Sequence, residues 1–444
     1  MQLTLRRWSP AISLALIVSL FVSSFMITST AQAAEDLNQQ VYTSMKKAVK
    51  YYYKSNRSYE FKSFDWELIG LPAAGEKLTS TKWLDKSKKS VLDYWATAIK
   101  DEKNQQPGNL AKLAIGLMKN GYDPANFNGM NLFELIAKQQ EENGRMGDDT
   151  YTIFNQGLSI IAFEMYGYQD YDRAQAVEFI LKRYKEFQSI DEEAFMLNVL
   201  PFIGDVDGVD EAKAEILAKL ADAQNENGSY TSWDVESPDT TLEVLIGLVS
   251  AEEDVYEAPW SNSVKFVLSH QVADGGFKSP YSNGESSAFT TEKALIALTS
   301  LKQASPLYEI LTDKEKAALK KYLPTVKNDG TLQVFDGIDN LLKNKGVTAS
   351  NNVFTVSSEQ VYVRLNVKNI PATEEKPLAV LVKAMKGKEV AAVAIVEGKG
   401  ALDQVTAGLT LDNGDYTVEV NFWYGLGEKP EVAKEPIQFA LTVK

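Results

Sequence analysis

The sequence predicts a multi-domain chain, α first and β second: an α/α toroid of helical-hairpin repeats followed by an all-β sandwich. Three observations carry this. From about Leu37 to Leu323 apolar residues recur at i, i+3, i+4 and i+7 between breaks rich in Gly, Asn and Asp. Within that stretch a Q-x-x-x-G-x-(large apolar) motif occurs three times. After Lys327 the hydrophobic period changes to two.

Residues 1–33 read as an export signal. Arg6 and Arg7 precede an apolar stretch from about Ala11 to Ile27, and Ala31-Gln32-Ala33 supplies the small-x-small pattern that a signal peptidase needs before Ala34. The alternative is an uncleaved anchor, since the stretch nearly reaches spanning length. Either way the chain is expected to be secreted or associated with the cell surface.

Residues 34–327 carry the repeat. Its copies are Gln140 to Met146, Gln224 to Tyr230 and Gln271 to Phe277, with Gly144, Gly228 and Gly275 at the fifth position. Each copy ends an amphipathic helix (131–140, 211–224, 260–271) and precedes a more apolar one, as in Leu242-Glu243-Val244-Leu245-Ile246-Gly247-Leu248 and Lys293-Ala294-Leu295-Ile296-Ala297-Leu298. The spacing of about 42 to 47 residues is two helices and two turns, a helical hairpin. A degenerate unit, helix 173–187 followed by 192–203, stands between the first two copies. Apolar helices near 107, 150, 192, 240 and 288, with 37–55 as a sixth, favour closure into two concentric rings, because an open array leaves an apolar end needing a cap. The motif has a structural reason. A Gln amide bonds backbone groups left open at a helix end, Gly allows the left-handed turn, and the large residue packs on the next hairpin.

Residues 328–350, punctuated by Asn328-Asp329-Gly330, Asp336-Gly337 and Lys345-Gly346, read as a linker. Residues 351–444 then alternate. Val361, Val363, Leu365 and Val367 form one set, Tyr416, Val418, Val420 and Phe422 another, and Ile437, Phe439, Leu441 and Val443 close the chain. With runs near 353, 379, 391 and 405 this makes about seven short strands, the pattern of a sandwich. Leu411 to Val418 resembles the tyrosine corner of immunoglobulin-like folds, with Tyr416 as its tyrosine.

Composition narrows the chemistry. Asp and Glu number 60 against 46 Lys and Arg, a net charge of −14 that opposes phosphate backbones, so no nucleic-acid partner is expected. Cysteine is absent and His270 is the one histidine, which removes thiolate and multi-histidine metal sites, histidine triads built with a cysteine, and disulfides. No cofactor and no metal site is expected. Asp205-Val206-Asp207-Gly208-Val209-Asp210 resembles a calcium loop but lacks the glutamate that closes an EF-hand, so helix capping is the expected role of its aspartates. His270 ends a helix, where a cation suits the dipole.

The glutamine motif resembles the repeat of squalene-hopene cyclases and of the prenyltransferase/squalene oxidase family. The segment from Gly121 to Phe127, with Asn131-Leu132, Gln140 and Phe154-Asn155-Gln156, resembles secreted bacterial toroid proteins and, through them, the helical domain of cobalamin carriers. Together the resemblances span about residues 85 to 325. They imply a terpenoid cyclase-like fold. The chemistry they imply lacks its residues: the nearest match to the class II D-x-D-D acid is Met146-Gly147-Asp148-Asp149, the class I D-D-x-x-D string is missing, and no cysteine can hold a prenyltransferase zinc.

The first reading of acidic and hydroxyl residues at helix starts is capping. This applies to Asp148, Asp149, Asp239-Thr240-Thr241 and Thr290-Thr291, with Thr240 and Glu243 matching a capping box. The functional reading is that Arg145, Asp148, Asp149, Tyr230, Trp233, Asp234, Phe277 and Tyr281 line one mouth of the toroid, where every repeat delivers its turn. Non-catalytic binding of an extracellular small molecule or glycan is the function expected from this, with cell-envelope contact through the β-sandwich. An enzyme on the same toroid, cyclase-like or carbohydrate-active, and a purely adhesive module are the alternatives.

Overall fold

The computed structural model describes residues 34–53, 66–85, 89–148, 152–322, 331–349, 353–398, 400, 402–426 and 430–444. The expected export signal lies outside them. Along the chain the helices are α1 (34–53), α2 (Glu67–Ala73), α3 (Val91–Ala98), α4 (Pro107–Lys119), α5 (Leu132–Ala137), α6 (Thr152–Tyr166), α7 (Arg173–Arg183), α8 (Ile190–Val199), α9 (Val209–Ala223), α10 (Pro238–Ser250), α11 (Ser261–Leu268), α12 (Ala288–Gln303), α13 (Asp313–Ala318) and α14 (Gly337–Leu342). The strands are β1 (Tyr122–Phe127), β2 (Tyr230–Ser232), β3 (Val235–Ser237), β4 (Lys320–Tyr322), β5 (Leu332–Asp336), β6 (Val353–Val356), β7 (Gln360–Asn366), β8 (Leu378–Lys386), β9 (Glu389–Gly398), β10 (Gln404–Thr410), β11 (Gly414–Tyr424) and β12 (Glu431–Val443).

Packing divides the chain into two units. The first takes its described residues from Met1–Leu78, Asp101–Ala125 and Asn131–Lys320, the second from Thr79–Lys100, Asn126–Met130 and Lys321–Lys444. The expected single span 34–327 is therefore corrected, because two short segments inside it belong with the second unit. Tyr322 explains the exchange. Its hydroxyl donates to Asp93 Oδ1 at 2.8 Å and lies 2.9 Å from Ser90 Oγ, its carbonyl accepts from Asn128 N at 3.0 Å, and its ring packs on Phe127.

In the first unit, α2, α4, α6, α8, α10 and α12 form one set. Each packs on the next, and α12 packs back on α2. These helices are apolar nearly all round because they are covered nearly all round. Every residue of α10 except Asp239 is buried, as is α12 from Thr290 to Leu301. By contrast, α1, α7, α9 and α11 bury a single stripe, in α9 Val209, Ala212, Ile216 and Leu220. The stripe of α1 is Leu37, Val41, Met45, Ala48 and Tyr52. Of the stretch 37–55, expected as a possible sixth inner helix, the described residues to 53 are thus of the one-sided kind, and α2 takes the sixth place.

The repeated motif joins neighbouring one-sided helices. Gln140 donates from Nε2 to the Asp172 carbonyl at 2.7 Å and accepts from Asp172 N at 2.8 Å, which seats it on the start of α7. Gln224 donates to Ser263 Oγ in α11 at 2.8 Å, and Gln271 to the Ser44 carbonyl in α1 at 2.9 Å. The glycines let the same backbones approach. Gly144, Gly228 and Gly275 have φ of 87°, 86° and 98°, and a Cβ on them would stand 2.1, 2.2 and 2.4 Å from the backbone of Gln175, Asn262 and Lys47. The large residue is held by its own amide: Met146 N donates to Gln156 Oε1, Tyr230 N to Thr241 Oγ1 and Phe277 N to Thr291 Oγ1.

In the second unit two sheets share one core. One has the order β10-β7-β5, the other β6-β12-β11-β8-β9, antiparallel except for β6 on β12. Alternation buries Val361, Val363 and Leu365 of β7 against Val418, Val420 and Phe422 of β11 and their neighbours. All seven expected strands between 353 and 443 are present. The expected linker 328–350 is corrected in part: Leu332–Asp336 is a sheet strand paired with β7, with Leu332, Val334 and Phe335 buried. Of its turn formers, Asp336-Gly337 marks the strand's end, where Gly337 opens α14. The Tyr416 hydroxyl donates to the Asp412 carbonyl at 2.7 Å.

Candidate functional site

The fully covered helices of the first unit begin at one end of the bundle, so the residues that start them meet there. Serines cap three of them: Ser189 in a capping box for α8, Ser237 for α10 and Ser287 for α12. The expected capping box of Thr240 and Glu243 is therefore corrected. With Ser237 already capping, Thr240 lies inside α10 and its hydroxyl donates to Asp191 Oδ2 of α8 at 3.0 Å. Glu243, one turn further on, pairs with Lys293 of α12 at 3.0 Å, and both side chains are buried.

At this end lies a cavity of about 620 Å³. Trp66 before α2, Gln106 at the cap of α4 with Gly108, Asn109 and Lys112 inside it, Asp148 ahead of α6 with Phe154, Asn155 and Leu158 inside it, and Phe289 and Lys293 of α12 line it. Its volume is ordinary for a small-molecule site, and its walls combine three aromatic rings with a few polar groups. Asn155 Oδ1 accepts from Gly108 N at 3.1 Å and fixes α4 against α6, and the Lys112 ammonium stands 5.1 Å from the Trp66 ring.

Behind Lys293 the first turn of α8 and the first two turns of α10 bring Asp191, Asp239 and Glu243 together. Burial works against the Lys293 charge, yet Glu243 and Asp191, with Asp239, outweigh it and hold its pKa above the usual lysine value. Burial pushes Glu243 up, Lys293 pulling against it. Burial also pushes the Asp239 carboxyl up, countered by Thr290 and Lys293 and reinforced by Asp191. The Thr290 hydroxyl stands beside that carboxyl without the geometry of a hydrogen bond. Neither it nor Asp239 Oδ1 has a hydrogen-bond partner among the described residues. Asp239 is thus a half-buried carboxyl with one oxygen open to a further partner.

Of the residues expected at the mouth, Asp148 lines the cavity. Asp149 lies outside the described residues. Tyr230 and Phe277 are corrected: both are fully buried, because the amide bonds to Thr241 and Thr291 turn them inward as packing for the repeat. Arg145 is held by Glu141 at 2.6 Å. Trp233 is 91% exposed at the tip of the β2–β3 hairpin, where it and Asp234 adopt left-handed φ of 52° and 62°. Tyr281 is 72% exposed in the loop before α12. Asp205 does not cap α9, whose N-cap is Gly208; it pairs with Arg173 at 2.7 Å. His270 Nδ1 lies 2.9 Å from the Phe266 carbonyl.

Sequence reasoning missed Asp191, Asp239, Glu243, Lys293 and Phe289 as a group. A signal existed in Glu243 and Lys293, opposite charges set beside the apolar runs of their helices about one repeat apart. A buried charge needs a partner, and each is the other's.

The chain is similar to a type II terpene cyclase. That enzyme, from Scytonema, was solved with geranylgeranyl dihydroxybenzoate as substrate; the match has 12% identity and a TM-score of 0.44, and it covers 61% of this chain and 99% of the cyclase. A protein from Actinoplanes matches at 13% identity and a TM-score of 0.40, covering 60% of this chain and 99% of its own. No protein-family model and no curated protein matches the chain.

Proposed function

We propose that the chain is an exported α/α toroid with a C-terminal immunoglobulin-like sandwich, and that it binds a small molecule or glycan in the cavity at the starts of α2, α4, α6 and α12. The toroid reading is supported by the cycle of contacts from α2 round to α12 and back, and the sandwich reading by two sheets over one core and the Tyr416 to Asp412 bond. The observation that carries the binding reading is the cavity of about 620 Å³ walled by Trp66, Phe154 and Phe289 with Asn109 and Lys112 among them. Such a site holds a ligand by ring contact and orients it by few polar groups.

Native mass spectrometry of the chain purified from its own host should reveal a bound small molecule. Trp66→Ala should weaken its rebinding by roughly tenfold or more, the loss of one aromatic wall. Ligand-free protein from the host, or a recovered ligand that Trp66→Ala rebinds as tightly as wild type, would overturn the reading. Export is tested separately by N-terminal sequencing, which should begin at or beside Ala34.

A second reading, acid catalysis on the bound ligand, is favoured by Asp239, a half-buried carboxyl that burial holds above its usual pKa and that stands behind Lys293 of the cavity lining. It requires the recovered ligand to be converted by wild type and left intact by Asp239→Asn.

A further inference from the structure

A second cavity, of about 340 Å³, lies at the other ends of α4 and α6 in the first unit. Met118 and Lys119 close α4 there, Met165 comes from α6, and Glu309, Ile310 and Glu315 come from the segment that runs into α13. That segment is seated by the Leu311 amide, which donates to the Met165 carbonyl at 2.8 Å. The cavity is at the lower end of ligand-pocket volumes.

Its charges are available. Lys119 is half-buried and has no hydrogen bond or ion pair among the described residues, although Glu309 and then Glu315 act on its charge from across the cavity. Burial holds its pKa below the usual lysine range. Glu309 likewise has no hydrogen bond among the described residues. Glu315 uses Oε2 to accept from the Thr312 amide at 2.8 Å and hydroxyl at 2.7 Å, bonds that favour its ionised carboxylate, and its Oε1 has no hydrogen bond among the described residues.

This charge set selects among ligands. A molecule with a carboxylate alone satisfies Lys119 and faces two glutamates. One with an amine alone satisfies the glutamates and meets Lys119. A molecule with both groups satisfies all three, and the Met118, Met165 and Ile310 side chains then offer adaptable apolar contact to whatever else it carries. We infer that this cavity binds a small zwitterion with an apolar side chain, of the kind of a free apolar amino acid, its carboxylate on Lys119 and its ammonium towards Glu309 and Glu315.

Calorimetric titration of the full chain tests this with three probes: leucine, N-acetyl-leucine, which lacks the ammonium, and leucinamide, which lacks the carboxylate. Leucine should bind saturably, and each of the other two about tenfold or more weakly, the loss of one charged hydrogen-bonding group. Lys119→Met should weaken leucine by a similar factor and leave leucinamide little changed. Glu309→Gln, at an exposed position that threatens the fold least, should weaken leucine and leave N-acetyl-leucine little changed. Lys112→Met, in the first cavity, should change none of these. No saturable binding of leucine at millimolar concentrations by folded wild type overturns the inference. So does equal binding of the three probes, or unaltered leucine binding by either cavity variant with a wild-type circular dichroism spectrum.

Discussion

Gln271 and Ser44 hold each other across 227 residues of sequence: Gln271 Nε2 donates to the Ser44 carbonyl at 2.9 Å, and Ser44 Oγ donates to Gln271 Oε1 at 3.0 Å. The same glutamine nitrogen reaches the Gly275 carbonyl at 3.0 Å. One side chain thus fastens the last motif turn to the helix nearest the start of the described chain. Gln271→Leu leaves the Ser44 carbonyl and hydroxyl without these partners and should cost about 1 to 3 kcal/mol. Limited proteolysis should then cut within 34–53 sooner than in wild type. Unchanged melting and cleavage would remove this role.

Gly228 has the same kind of consequence at the second motif copy. With φ of 86° and a Cβ that would stand 2.2 Å from the Asn262 backbone, valine there meets both strain and a clash with an unyielding neighbour. Gly228→Val should destabilise the first unit by about 2 to 4 kcal/mol, measured by thermal or urea unfolding. A wild-type midpoint would contradict the packing described for the motif.

The Glu243–Lys293 pair should behave as buried pairs do. Glu243→Leu or Lys293→Met alone leaves one uncompensated charge and should cost about 3 to 5 kcal/mol. Both together should recover most of that loss, since an apolar pair of similar volume avoids the desolvation cost, and stop short of wild type because Asp191 and Asp239 also lose the Lys293 charge. Additive losses in the double variant would show that the two do not act as a pair.

Asp239 predicts a pH dependence. Its folded pKa lies above the ordinary carboxylate value of 3.8, so between those two values the folded chain binds the proton more tightly than the unfolded chain does. Its contribution to stability therefore falls as pH rises through that window and stays lowered at neutral pH. Asp239→Asn, which carries no charge, should melt at a higher temperature than wild type at pH 7, and the gain should vanish below about pH 4. A variant that is less stable at pH 7 would mean that the carboxylate is stabilised where it stands.

The second unit offers a boundary test. A fragment of residues 331–444 keeps β5 beside β7, whereas one of residues 350–444 strips that strand and exposes Val361, Val363 and Leu365 along a bare edge. Urea unfolding should find the longer fragment more stable and the shorter one more prone to associate.

The sequence by itself determined the order of helices and then strands, the three glutamine turns and the alternation of one-sided with fully apolar helices. These are local matters: a period of 3.6 or 2, a glycine where φ is positive, a tyrosine four residues beyond its carbonyl acceptor. It also held the charges Glu243 and Lys293 beside apolar runs. Only the tertiary structure decided that these two meet, that α2 rather than 37–55 completes the apolar set, and that Leu332–Asp336 is a strand rather than a linker. It also decided that Tyr230 and Phe277 are core while Phe289 and Lys293 line the cavity. Each of these depends on which backbone lies opposite, a pairing made between residues tens or hundreds of positions apart, and periodicity marks the face to be buried without naming the partner that buries it.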